Sequence, residues 1–139
     1  LEYCVVQTKV DGKPHRLIVA AALLDSLRVK TKEELPEIDK RIYGKNLIGH
    51  MYRPPFVNYY EKQGLLKGKR NEGLEDFQAW RIVGADFVTT ESGTGLVHIA
   101  PAFGEVDYQV LADEQARFVD GQGPLLICAV GPDGKFTKD

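Results

Sequence analysis

The feature that most limits what this chain can fold into is a pair of strand-like stretches joined by a tight-turn signal. "YCVVQTKV" (3–10) alternates apolar and polar positions and is rich in β-branched residues, the pattern of a strand. "DGKP" (11–14) is turn chemistry, with Gly12 free to take positive φ, and "HRLIVAAA" (15–22) reads as the return strand. A β-hairpin commits the first part of the chain to an antiparallel sheet, and the remaining segments have to be compatible with it.

They are mostly strand-like as well. "AALLDSLRV" (21–29) reads as a short helix, and "ELPEIDKRIYGKNLIG" (34–49) as a polar connection ending in an apolar pair. "MYRPPFVNYY" (51–60) is expected to be extended, because a residue before proline is pushed out of helix. "EKQGLLKGKRNEGLEDF" (61–77) reads as an exposed loop with one helical turn. "AWRIVGADFVTT" (79–90) reads as a strand kinked at Gly84, "TGLVHIA" (94–100) as a strand, and "PLLICAV" (124–130) as a last strand before a "GPDG" turn. Between them, "PAFG" (101–104) turns a corner into a helix, "EVDYQVLADEQARF" (105–118), with Val106, Val110, Leu111 and Phe118 near helical spacing. About six strands and one convincing helix make the class mainly β with flanking helices (α+β), a barrel or sandwich with peripheral helices.

Composition narrows the function classes. At 139 residues, 43% hydrophobic and 27% charged, the chain is sized and composed like one soluble globular domain. Its longest apolar run, "LIVAAALL" (17–24), is too short to span a bilayer, so no membrane partner is expected. "LEYCVV" has no secretory pattern and starts in what reads as mid-strand, as in a piece of something longer. A net charge of −2 argues against broad, sequence-blind nucleic-acid binding while leaving room for gripping one nucleotide at a strand end. Cys4 and Cys128 lie far apart in no metal-like spacing. They read as reduced, half-buried strand cysteines, with a disulfide as the alternative, and this fits a cytoplasmic protein.

The chemistry-bearing residues concentrate in "GTGLVHIAPAFGEVDY" (93–108). No cysteine or histidine cluster has zinc spacing, "GTG" is not a dinucleotide fingerprint, and neither serine, Ser26 or Ser92, has nucleophile-elbow context. Taken singly, His98 reads as a structural strand histidine, Asp107 as a first-turn helix acid, and Gly93 and Gly95 as turn glycines. Trp80 and Tyr108 read as core aromatics. Taken together, a strand presents His98, a Pro-Gly corner folds the chain back, and the next helix begins with acids. A carboxylate at a helix start stays ionised beside the positive end of the helix and can hold an ammonium group. The histidine offers a bulky wall, and Gly93 and Gly95 offer exposed backbone. Such a site suits a small amino compound attached to something flat and hydroxylated.

The same residues resemble a known family. "GTGLVHIAPAFGEVDY" is similar to the signature of the editing domain inserted in class I isoleucyl-tRNA synthetases, with "VHIAPAFGE" (97–105) in the isoleucyl form rather than the valyl or leucyl one. "LIGHMYRPPF" (47–56), "GADFVTTESGTG" (84–95) and "AVGPDGKF" (129–136) resemble further segments of it. The resemblance implies a β-barrel with flanking helices, residues 1–139 being a fragment of that domain within a larger synthetase. It implies hydrolysis of tRNA(Ile) mischarged with valine, the partners being the valine-bearing tRNA(Ile) 3′ end and the rest of the synthetase chain. By position, His98 matches the histidine that lines the amino-acid pocket and excludes isoleucine. Asp107 matches the anchor of the substrate ammonium. Gly93, Thr94, Gly95 and Leu96 match the loop beside the terminal adenosine. Editing needs no metal or other cofactor in the family, while ATP and Mg belong to the separate aminoacylation domain.

One departure qualifies the match. The family carries a threonine-rich segment, Thr-Thr-Thr-Pro-Trp-Thr-Leu-Pro or close to it, that helps position the ester and water, and nothing in 1–139 matches it. The rival readings are a valyl-type domain clearing threonine and a catalytically silent barrel that binds an RNA end or a protein partner.

Overall fold

The computed structural model describes residues 1–55 and 57–137; Phe56, Lys138 and Asp139 lie outside the described residues, and with Phe56 one position of the extended reading of 51–60. The described chain divides into two compact units, one formed by Leu1–His50 with Ile82–His98 and the other by Met51–Arg81 with Ile99–Asp139.

The first unit is built on the hairpin. Strand β1 (Glu2–Val10) pairs antiparallel with β2 (Lys13–Ala20) in a register running from Tyr3 opposite Ala20 to Val10 opposite Lys13. The loop is therefore only Asp11–Gly12, both at positive φ (51° and 77°), the two-residue turn whose twist matches that of the strands it joins. The return strand starts two residues earlier than the sequence indicated, because Lys13 and Pro14 join the ladder. Strand β3 (Ile42–Tyr43) pairs with the other edge of β1, giving the order β2-β1-β3. Farther along that edge, the Gln7 amide donates to the Pro36 carbonyl and the Ile38 amide to the Val5 carbonyl.

Tyr3, Cys4, Val5 and Val6 are all buried, so the base of β1 is covered on both faces rather than on alternate ones. Val6, Val19 and Cys4 lie at its centre with Leu23, Leu24, Leu35 and Leu47, and burying each such aliphatic side chain contributes about 1.5–3 kcal/mol. The hairpin tip, from Lys9 to Ile18, stands exposed. A single 3-10 turn (Ala21–Leu23) leads into α1 (Leu24–Thr31), close to the short helix expected there. Arg28 on α1 donates to the Glu34 and Leu35 carbonyls, fastening the loop that follows the helix.

The second unit holds α2 (Asn58–Gln63), an antiparallel ribbon of β4 (Lys67–Lys69) and β5 (Glu75–Phe77), and α3 (Glu105–Gln115). The ribbon corrects the reading of 61–77 as an exposed loop, and α2 corrects the extended reading at Asn58–Tyr60. Phe118 bridges to Arg70, and the Val119 amide donates to the Lys69 carbonyl, which ties the end of the α3 segment to β4. The Arg70 guanidinium lies 5.5 Å over the Phe118 ring and pairs with Asp76. Trp80 meets Tyr52 and Tyr60 edge-on at 6.2 and 6.0 Å.

Three expected strands are not strands. Residues 79–90 hold a bridge of Arg81 to Met51, with backbone bonds at Trp80 and Ile82 to the Gly49–Tyr52 stretch, and no ladder beyond it; Trp80 sits at φ 58°, which breaks an extended run. Residues 94–100 form one backbone bond to the sheet, from the Ala20 amide to the Thr94 carbonyl, because Gly93 and Gly95 both turn to positive φ. Residues 124–130 pair only at Val130 with Phe136, around the Gly131–Lys135 turn. The described residues are thus mixed α and β with antiparallel pairing, and they form no closed barrel. Among them no helix is long and apolar enough to cross a membrane.

Candidate functional site

The turn at 93–96 is fixed by the sheet it abuts. The Tyr3 hydroxyl donates to the Gly95 carbonyl at 2.7 Å, and Ala20 donates to Thr94 at 2.8 Å, so two successive carbonyls are held by β1 and the end of β2. Gly95 is buried at φ 75°, and a Cβ there would lie 2.5 Å from the Ala20 Cβ. Glycine is required at this position on both counts. Gly93, at φ 79°, meets nothing within 4 Å, so its requirement is conformational alone. The Thr94 hydroxyl donates to the Leu96 carbonyl at 3.3 Å, closing the turn on itself, while Leu96 and His98 are exposed. Gly93, Thr94, Gly95 and Leu96 are thereby gathered into one ordered turn of the first unit.

Asp107 belongs to the second unit. Gly104 is the N-cap of α3, with extended backbone and no side-chain cap of its own. The Asp107 carboxylate bends back instead, and its Oδ2 accepts from the Ala100 amide at 3.1 Å. The Phe103 amide donates to the Ala100 carbonyl, so the corner from Ala100 to Gly104 is braced from both sides. One oxygen of Asp107 is committed to this brace. Glu105 is exposed, as a residue about 200° around the helix from Asp107 can be. The chain passes from one unit to the other between His98 and Ile99. His98 thus belongs to the first unit and Asp107 to the second.

Two aromatic expectations fare differently. Trp80 is half-buried in its tyrosine cluster, whereas Tyr108 is 52% exposed and is no core residue. Val106 is also 53% exposed, leaving Leu111 and Phe118 as the buried members of the α3 pattern. Both cysteines are free thiols, Cys4 buried in β1 and Cys128 exposed outside any strand, so neither is half-buried. Burial pushes the Cys4 thiol up. The described residues hold no cluster of three metal-ligating side chains. Two shallow depressions in the second unit are lined by Arg70, Glu72 and Asp76 and by Gln115, Asp120 and Pro124, among others, and neither is lined by Asp107.

Sequence comparison decides the family. The chain is 38% identical over 139 residues, its whole length, to an isoleucine–tRNA ligase of Bdellovibrio bacteriovorus. It is also 36% identical over 142 aligned residues to isoleucine–tRNA ligase 2 of Bacillus cereus, and 38% identical over 138 residues to an isoleucine–tRNA ligase of Methanopyrus kandleri. The chain belongs to the isoleucine–tRNA ligase family. It spans 11–12% of the length of these relatives, so it corresponds to one segment of an aminoacyl-tRNA synthetase. No protein-family model matches it.

The structure adds two groups that the sequence reading passed over. Tyr3 anchors the Gly95 carbonyl across 92 residues of sequence, and Arg81 is 8% exposed and paired with Glu114 on α3. Neither stands in a recognisable motif. Only the apolar company of Tyr3 in "YCVV" hints that it is buried.

Proposed function

We propose that this segment of an isoleucine–tRNA ligase hydrolyses the ester of tRNA(Ile) mischarged with valine. The observation that carries the reading is the block Gly93–Tyr108, in which an ordered glycine turn, a histidine and a first-turn aspartate follow one another within a chain homologous end to end to such ligases. The chemical need is general. A binding pocket extracts only about 1–3 kcal/mol from one methylene, a figure whose reference case is the isoleucyl enzyme itself, so a second site has to remove what the first admits.

In this reading Asp107 holds the α-ammonium of valine through the oxygen that the corner leaves free, and a charge-assisted hydrogen bond orients as well as binds. Water then attacks the ester carbonyl, the bond from the acyl carbon to the ribose oxygen breaks, and valine and the tRNA with its ribose hydroxyl restored leave. His98 forms the wall that isoleucine overlaps. The Gly93–Leu96 turn receives the terminal adenosine on its exposed side, at Gly93 and Leu96, since Gly95 is buried against the sheet. The reaction proceeds without a metal, while ATP and Mg serve aminoacylation elsewhere in the parent ligase. The barrel that encloses the site is completed by other segments of the parent, and the threonine-rich segment that positions the water lies among them. We place this activity in the cytoplasm, where aminoacyl-tRNA is used.

A second reading is favoured by the 3.1 Å bond from the Ala100 amide to Asp107, namely that Asp107 is only a corner brace in a silent module. Asp107→Asn separates the two, because an amide oxygen still accepts from Ala100 while the negative charge is gone. In the full-length ligase, deacylation of Val-tRNA(Ile) is expected to fall about a hundredfold in this variant, the scale of a misplaced reacting centre. Aminoacylation should be unchanged. Full deacylation by Asp107→Asn would establish the brace reading. Preferential hydrolysis of threonyl-tRNA by the unaltered ligase would replace the valine assignment with a valyl-type one.

A further inference from the structure

Helix α3 carries Asp107 but has little apolar packing to fix its rotation. Of its residues only Leu111 is buried, whereas Val106 and Tyr108 are each more than half exposed. Backbone and side-chain bonds with Lys69, Asn71 and Pro124 tie down the far end of the segment, but the first turns have only Leu111 beneath them, and a small rotation there would swing the Asp107 carboxylate.

Arg81 supplies what the apolar face does not. Its side chain is 3% exposed and forms an ion pair with Glu114, whose other carboxylate oxygen accepts from Arg117 at 2.9 Å. Glu114 stands seven residues after Asp107, which is two helical turns: about 20° in azimuth and roughly 10.5 Å along the axis. The two carboxylates therefore share one side of α3, and a rotation that displaced Asp107 would draw Glu114 off Arg81. The other end of the lever is held as well. Arg81 is bridged through its backbone to Met51, and it follows Trp80 at φ 58°, a conformation costly enough for a bulky residue that the surroundings must impose it. Among the described residues the Nε and Nη1 atoms of Arg81 are buried with no hydrogen-bond partner, so Glu114 makes the direct ion pair with the buried charge, while Asp76 feels it at longer range.

We propose that Arg81 is a positioning residue for Asp107, setting the rotation of α3 through Glu114 so that the first-turn carboxylate faces its substrate. The functional half of this statement rests on the editing reading of Asp107; the mechanical half does not. The test uses the full-length ligase with Arg81→Gln, Glu114→Gln and the double variant, with Arg81→Lys as the conservative substitution. Two quantities are read: the kcat and KM for deacylation of Val-tRNA(Ile), and the hydrogen-exchange protection of the Ala100 amide, which reports whether Asp107 still reaches it. Either single variant is expected to lower kcat about a hundredfold with KM for the tRNA unchanged, to speed exchange at Ala100, and to leave aminoacylation intact. The double variant should be no worse than either single one, because both break one link. Arg81→Lys should recover part of kcat. Unaltered Ala100 protection in Arg81→Gln and Glu114→Gln overturns the proposal. Faster Ala100 exchange with unaltered kcat, alongside an active Asp107→Asn, keeps the lever and removes the editing role of Asp107 instead.

Discussion

Substituting Gly95 by alanine should damage the molecule in two separable ways. The first is conformational: at φ 75° an L-residue is left-handed, which costs roughly 1–2 kcal/mol. The second is steric: the new Cβ would lie 2.5 Å from the Ala20 Cβ, where carbon atoms normally rest about 3.5–4.0 Å apart, and overpacking of this kind costs about 1–3 kcal/mol. The sum is about 2–5 kcal/mol, concentrated at the turn that holds Thr94 and Gly95 against the hairpin. Trimming the neighbour with Ala20→Gly removes the steric part and leaves the conformational part. Ala20→Gly alone loses a buried methyl and adds backbone freedom, at a cost of roughly 1–2 kcal/mol. A double-mutant cycle should therefore show a favourable coupling of about 1–3 kcal/mol. The assay is hydrogen exchange of the Ala20 amide, which is bonded to the Thr94 carbonyl and reports opening of this turn. Gly95→Ala should raise its exchange rate by roughly 30-fold or more, since about 2 kcal/mol corresponds to that factor. Additive effects, with no rescue by Ala20→Gly, would show that the close approach of Gly95 to Ala20 is not what demands glycine here.

Three further outcomes are expected. Tyr3→Phe deletes the buried 2.7 Å bond to the Gly95 carbonyl and should lower stability by about 1–3 kcal/mol, read as a shift in the urea midpoint of the chain; an unchanged midpoint would mean that water replaces the hydroxyl without loss. His98→Ala in the full-length ligase should open the wall and let correctly charged Ile-tRNA(Ile) be hydrolysed, so continued rejection of isoleucine would place the sieve on another residue. For Asp76, burial pushes the carboxyl up, but hydrogen bonds from Arg70 and the Phe77 amide, with the Arg81 charge, outweigh it and hold it below the usual carboxylate range. A depressed folded value stabilises above the unfolded pKa, about 3.9 for aspartate, and that stability is lost as pH falls through the folded value. Fluorescence of Trp80, the one tryptophan, should thus show acid unfolding below about pH 4 that is shallower in Asp76→Asn; identical acid limbs would contradict the pairing.

How much of this was legible in the sequence differs from segment to segment, for physical reasons. The hairpin was readable because Asp11–Gly12 is a local signal: two adjacent residues that accept positive φ set the loop, and the register follows. Helix α3 and its corner were readable because Pro101 and Gly104 punctuate a change of period and acids follow at the helix start. The β4–β5 ribbon was not, since "KGK" and "EDF" carry no apolar alternation and pair around a turn closed by Gly73. Residues 94–100 and 124–130 have the composition of strands but lack a ladder among the described residues, and composition cannot say whether a neighbour is there to bond. At the candidate site, the need for glycine at Gly93 and Gly95 was visible as a possibility, but its cause at Gly95 lies in Ala20 and Tyr3, far away in sequence. The tie of Asp107 to Ala100 was equally invisible, because a first-turn acid can serve the helix end, a ligand or its own corner with the same letters.

The bond from Tyr3 to Gly95 also sets an order of events during synthesis. The hairpin can form as soon as its own residues have emerged, but the acceptor for the Tyr3 hydroxyl is made 92 residues later, about 5–18 s at ordinary elongation rates. During that interval the foot of the hairpin carries an unanswered phenol, and the Ala20 amide lacks the Thr94 carbonyl. The nascent chain must therefore shelter an incomplete sheet edge while the whole Met51–Arg81 stretch of the other unit is being made. Slow codons before Gly95 would lengthen the exposure and faster ones shorten it, so translation speed across this stretch sets how long the sheet edge stays open.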